Sequence, residues 1–164
     1  MDISKEKREE LLKAQQGEIN GVETYRRLSE IVHNESDRQI FKELAADEGR
    51  HAAVFKQYTG TVLMPQRTQA NAVAALYRLL GKRILYPLIA QGEYAAIPGY
   101  EKMMKEFPEV EAVKNDEKRH GDTVRALLKN GEYKDRPILP FMICGLTIVL
   151  LLKKCSGVFC NKEE

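Results

Sequence analysis

Two halves of this chain carry the same polar residues on otherwise apolar helical stripes, and this repeat constrains the fold more than any other feature. Gln16-Gly17-Glu18 in the first half matches Gln91-Gly92-Glu93 in the second, and a tyrosine follows each glutamate seven residues later, at Tyr25 and Tyr100. Further along, Asp47-Glu48-Gly49-Arg50-His51 matches Asp116-Glu117-Lys118-Arg119-His120, both of the form D-E-x-R-H. Repetition of this kind implies two copies of one supersecondary unit. A single E-x-x-H is a weak signal in a glutamate-rich chain. Two of them, each preceded by a lone glutamate on an earlier segment and flanked alike, make a strong one.

Apolar residues recur at steps of three and four nearly throughout, and no strand-like alternation persists, so the chain reads as all-α. The first helix is expected from about Ser4 to Val32, with an inner stripe of Leu11, Ala14, Glu18, Val22, Tyr25 and Leu28. After the break at His33-Asn34-Glu35, Ser36 fits an N-cap with Gln39 at the capping-box position. The second helix carries Phe41, Leu44, Glu48, His51 and Phe55, and Gly60 suits its end. A third long helix is expected over Lys82 to Phe107, bearing Tyr86, Ile89, Glu93, Ile97 and Tyr100, with Pro87 and Pro98 predicted to bend it or open a bulge. Pro108 suits the first turn of a fourth helix, which carries Val110, Val113, Glu117, His120, Val124 and Leu127 and ends at Gly131. Short links join helices one and two, and three and four, making two antiparallel hairpins. The stretch from Gly60 to Gly81 is long enough to cross a bundle lengthwise. Two hairpins joined by one long crossover give a ferritin-like four-helix bundle.

Glu48 and His51 share a helix face, as do Glu117 and His120, because residues three apart are neighbours on a helix. Glu18 and Glu93 lie on the apolar stripes of their own helices. A bundle closing along these stripes buries four carboxylates together, at great cost unless something compensates. Two divalent cations would neutralise them, with two neutral imidazoles as further ligands. Such a donor set suits iron, and also manganese, better than structural zinc. Paired ions in such sites sit roughly 3.5–4 Å apart. Taken singly, Glu18 or Glu93 would face solvent and either histidine would be structural. It is the joint pattern that argues for a metal pair. Asp47, Arg50, Asp116 and Arg119 read as surface or supporting groups without assigned chemistry.

The set Glu18, Glu48-x-x-His51, Glu93 and Glu117-x-x-His120 resembles the rubrerythrin and bacterioferritin branch of the ferritin-like superfamily, over about residues 4–130. The resemblance implies two iron ions, with Glu18 and His51 serving one, Glu93 and His120 the other, and Glu48 and Glu117 bridging. It also implies that Tyr25 and Tyr100 hydrogen-bond to ligand carboxylates. Rubrerythrins reduce hydrogen peroxide at such a centre with electrons from a rubredoxin-type iron site. Two departures stand out. Where rubrerythrins often carry an extra glutamate, three residues after the helix-three ligand, this chain has Ala96. The six-ligand set is thus closer to the bacterioferritin pattern. The sequence also holds no rubredoxin-type cysteine pattern, so electrons are expected from a separate protein. Three activities remain open: reduction of hydrogen peroxide or dioxygen; ferroxidase or iron-handling chemistry that feeds or senses iron at a membrane; and hydroxylation of a lipid-soluble substrate.

Charge excludes one class of partner. The formal net charge is +2 and the basic residues are scattered, which argues against nucleic acid. The three cysteines, Cys144, Cys155 and Cys160, all lie near the C-terminus and form no disulfide framework. No secretory signal precedes the first helix, so the bulk of the chain is expected in the cytoplasm. From Pro137 to Leu152 the sequence is uncharged and apolar, ending at Lys153-Lys154. A span usually takes about 20 apolar residues, so this run is marginal. We read residues 1–134 as the metal-binding domain and 135–164 as a hydrophobic tail carrying a C-terminal helix. A membrane anchor is the favoured role of that tail. An interfacial helix, or a fifth helix packed in a dimer, are the alternatives. The apolar stretch Ala70 to Leu80 either packs across the bundle or touches a membrane surface. A homodimer is expected.

Overall fold

Local capping sets where each helix begins and ends. The computed structural model describes residues 3–129. Helix α1 (Lys5–Ile31) starts where the Ser4 hydroxyl accepts from the Lys7 amide. Helix α2 (Glu35–Thr59) starts two residues earlier than the Ser36 cap predicts. Asn34 is the N-cap, its side chain accepting from the Asp37 amide at 3.0 Å. Gln39 is therefore released from any capping box and donates instead to Glu43 at 2.9 Å. Gly60 closes α2 in the left-handed conformation, at φ 62°, which a side chain would disfavour.

The crossover is not a plain strap. It contains an amphipathic helix, α3 (Arg67–Leu80), which buries Ala70, Val73, Ala74 and Tyr77 against α1 and the next helix. Gly81, at φ 68°, turns the chain directly into α4 (Lys82–Met103). α4 runs through both Pro87 and Pro98 as one continuous α-helix and ends four residues before Phe107. α5 (Val110–Ala126) begins two residues after Pro108 and passes into a short 3₁₀ turn at Leu127–Lys129.

α1 packs on α2 and α4 on α5, and the two hairpins meet along α2 and α5, with α3 laid over α1 and α4. This is an all-α bundle with one long, helical crossover. Its apolar core is split in two. One cluster gathers Tyr25, Leu28, Phe41, Leu44, Tyr86 and Val124; the other gathers Leu11, Ala14, Phe55, Tyr100, Met103 and Val113. Between them the stripe residues are Glu18, Glu48, His51, Glu117 and His120, all buried. At the Phe41 end lies a separate buried ion pair, Lys82 Nζ to Asp37 Oδ2 at 3.2 Å, with the Tyr86 hydroxyl donating to the same oxygen at 3.0 Å. The expected stop at Gly131 and the hydrophobic tail, 135–164, lie outside the described residues. Among the described residues, no helix is long and apolar enough to cross a membrane.

Candidate metal centre

The polar layer between the two apolar clusters brings carboxylates and imidazoles together from four helices. Glu48 and His51 of α2, with Glu117 and His120 of α5, place one ligand atom each within 4.8 Å of one another. Glu18 of α1 adjoins them, its Oε2 3.3 Å from His51 Nδ1. Glu93 of α4 adjoins from the other side, its Oε2 3.6 Å from His120 Nδ1. Glu117 Oε1 lies 3.5 Å from His51 Nδ1, and Glu48 Oε1 lies 3.1 Å from His120 Nδ1. The two imidazoles stack, with ring centroids 5.3 Å apart.

The outer atoms of these groups are held crosswise between the halves. The Tyr25 hydroxyl donates to Glu93, and the Tyr100 hydroxyl to Glu18. Burial, and then the Glu93 charge, pushes Tyr25 well above the usual phenol range; burial and Glu18 do the same to Tyr100, so both remain donors. His51 Nε2 meets Asp116 Oδ2 at 3.1 Å, and His120 Nε2 meets Asp47 Oδ2 at 3.1 Å. Sequence reasoning gave these aspartates no chemistry, yet each binds the histidine of the opposite hairpin. Their repetition just ahead of each E-x-x-H was the available signal. Arg119 donates to Asp47 at 2.8 Å, and Arg50 pairs with the same carboxylate. An imidazole whose Nε2–H is engaged by a carboxylate keeps its Nδ1 lone pair for a metal. Both Nδ1 atoms face the carboxylates.

The close fit of α1 on α2 is part of the site. A Cβ added at Gly21 would come within 2.5 Å of Glu48 Oε2, so only glycine leaves that carboxylate its place. The electrostatics are those of crowded acids. Burial raises Glu48 well above the ordinary carboxylate range, and the charges of Glu18, Glu117 and Glu93 raise it further. Glu117 is raised likewise, by burial and then by Glu93 and Glu18. Burial would lower His51, but hydrogen bonds to Glu117 and Glu18 outweigh it and lift the imidazole to about 10. Glu18 goes the other way. Burial would raise it, and hydrogen bonds to His51 and Glu48 bring it below the usual value. Crowding thus favours protonation of Glu48, Glu117 and His51 in the metal-free cluster, and a bound cation would compete with those protons.

Three buried atoms of the layer, Glu48 Oε1, Glu117 Oε1 and His120 Nδ1, have close polar neighbours but no hydrogen bond of good geometry. Leaving such atoms unsatisfied is costly. Their residues belong to the group whose ligand atoms lie within 4.8 Å of one another, and their carboxylate and imidazole chemistry fits a divalent metal. The cluster is a carboxylate–histidine metal-binding site.

Comparison with known proteins agrees. A family model described as rubrerythrin matches residues 9–128. An uncharacterized Bacillus subtilis (strain 168) protein, YhjR, is 33% identical over 63 residues. That alignment covers 36% of this chain and 43% of YhjR, so the match spans less than half of either protein. No solved structure matches.

Proposed function

The chain belongs to the rubrerythrin family, and on that premise we propose that it is a non-haem di-iron oxidoreductase that reduces hydrogen peroxide. The observation that carries this reading is the set of buried ligand atoms without a hydrogen bond of good geometry, with both histidine Nδ1 atoms turned toward four glutamates. Glu18 and His51 would hold one iron and Glu93 and His120 the other, with Glu48 and Glu117 between them. Manganese would fit the same donors. Two ferrous ions held there would supply the two electrons that, with two protons, convert hydrogen peroxide to two waters.

The protein's own contribution is position and proton supply. Tyr25 and Tyr100 fix the outer oxygens of Glu93 and Glu18. Asp116 and Asp47 set the tautomer and tilt of the two imidazoles. Apolar clusters on both sides shield the layer from bulk water. Asp116 is about one-third exposed, whereas Asp47 is buried, so the His51 side is the nearer to solvent protons. Electrons would come from an external donor such as a rubredoxin-type protein. We propose further that residues 1–134 form the working domain, paired as a homodimer, and that 135–164 anchors it to the cytoplasmic face of a membrane.

The set of four glutamates and two histidines also suits a ferroxidase, and turnover separates the two readings. Stopped-flow oxidation of the anaerobic diferrous protein should be much faster with hydrogen peroxide than with dioxygen, and reductant should restore the starting state with iron retained. Comparable rates with dioxygen, together with consumption of Fe(II) beyond two ions per chain, would replace this proposal with the ferroxidase.

A further inference from the structure

A cavity of about 120 Å³ opens directly on the carboxylates, bounded by α1, α3 and α4. Glu18, Glu48, Glu93 and Glu117 face it on one side, and Val73, Leu88 and Ile89 are among its apolar walls. It is much larger than hydrogen peroxide requires. A water needs roughly 10–15 Å³ on this measure, and peroxide about twice that. An apolar cavity of about 150 Å³ takes up benzene, so the part of this cavity beyond the metal positions has room for a short alkyl group of about four carbons. Away from the carboxylates and the two tyrosines, Thr24 and Gln69 are the polar residues of the lining, and the Thr24 hydroxyl is already donated to the Asn20 carbonyl.

The space is kept open by small residues at helical spacing. Leu88, Gly92 and Ala96 step by four along one face of α4, and all three line the cavity. A Cβ added at Gly92 meets nothing within 4 Å. The volume is therefore set by a missing side chain, and no neighbour demands glycine there. Carboxylate-lined on the metal side and mostly apolar on the other, the cavity matches a molecule with a peroxide head and a short hydrocarbon tail.

We propose that small alkyl hydroperoxides are substrates of this site, their hydrocarbon group seated against Val73, Leu88 and Gly92. This rests on the peroxidase reading above. The O–O bond of ROOH breaks, two electrons come from the reduced centre and two protons from solvent, and the products are ROH and water. The external donor then returns two electrons.

The test uses the full, iron-loaded chain with hydrogen peroxide and tert-butyl hydroperoxide, in wild type and Gly92→Leu. Both peroxides should oxidise the wild-type centre, with kcat/KM values within about tenfold of each other. Gly92→Leu should lower kcat/KM for tert-butyl hydroperoxide at least tenfold more than for hydrogen peroxide. A second measurement does not depend on turnover. Relaxation of the tert-butanol methyl protons should be enhanced by wild-type protein loaded with Mn(II), and much less by Gly92→Leu. If hydrogen peroxide alone reacts, or if Gly92→Leu leaves both the ratio and the methyl relaxation unchanged, this inference falls and the peroxidase reading stands. If neither peroxide oxidises the centre, the peroxidase reading fails and this inference with it.

Discussion

Gly21→Ala should separate folding from metal binding. The new Cβ would lie 2.5 Å from Glu48 Oε2 and 3.0 Å from its Cδ, whereas ordinary contact begins near 3.4 Å. The carboxylate must therefore move by roughly 0.9 Å, and metal–ligand distances tolerate only about 0.2 Å. Losing an outer partner of a ligand costs about 10–100-fold in affinity, so displacing a ligand itself should cost at least about 100-fold for one ion. Metal-free stability should move the opposite way. Alanine is better than glycine inside a helix by about 0.8–1 kcal/mol, and the Glu48 side chain can swing aside. Two assays on one sample check this: guanidinium unfolding of the chelator-treated protein, and anaerobic Fe(II) titration with bound metal counted. Gly121→Ala is the control. Its Cβ would meet the Tyr94 ring at 2.4–2.9 Å, so it should lose about 1–3 kcal/mol by overpacking and keep its metal. A Gly21→Ala protein binding two ions within threefold of wild-type affinity would refute the close-packing argument.

Three further outcomes are expected. Metal-free protein should lose stability as pH rises. His51, Glu48 and Glu117 all bind their protons more tightly folded than unfolded, so their contribution is full below the unfolded values and is lost upward, for His51 through about 10. Glu18, lowered on folding, opposes this only at acid pH, where its contribution is lost as it becomes protonated. Metal competes with the same protons, so the rise in Tm on adding Mn(II) should grow between about pH 5 and pH 8; a pH-independent rise would contradict the proton-filled cluster. Lys82→Met should cost about 3–5 kcal/mol in urea unfolding, by leaving the buried Asp37 carboxylate without its cation, and Asp37→Asn in the same chain should recover much of it. A chain ending at Lys134 should fold and bind the same metal; if it is unfolded by circular dichroism, the division at 134 is wrong.

Helices could be read from the sequence because their inner stripes are periodic, and every stripe residue of α2 and α5 named from sequence is buried. Glu18, Glu48, His51, Glu117 and His120 could be picked out as buried for the same reason: they interrupt apolar stripes at in-phase positions. What the sequence concealed was whatever depends on the neighbouring helix. Asp47 sits one residue from Glu48, about 100° around α2, and only the docking of α5 places His120 against it. Asn34 and Ser36 both suit an N-cap, and the choice depends on where the α1–α2 turn lets the chain enter the helix. The Lys82–Asp37 pair joins residues whose flanks read as helix starts, with nothing local to link them.

The crosswise bonds have a consequence for assembly. Within one hairpin, Asp47 and Asp116 find an arginine of their own helix but no histidine, and Tyr25 and Tyr100 find no glutamate; those partners come across the seam. Neither hairpin is a half-strength version of the whole, because each offers donors and acceptors that only its counterpart can answer. The centre is therefore a checkpoint on docking: a chain whose hairpins meet out of register strands charges in its middle, and one whose hairpins meet correctly gains a metal clasp. By the same symmetry, two identical copies of either hairpin would hold all the parts required, which makes this single polypeptide the tethered form of a self-complementary pair.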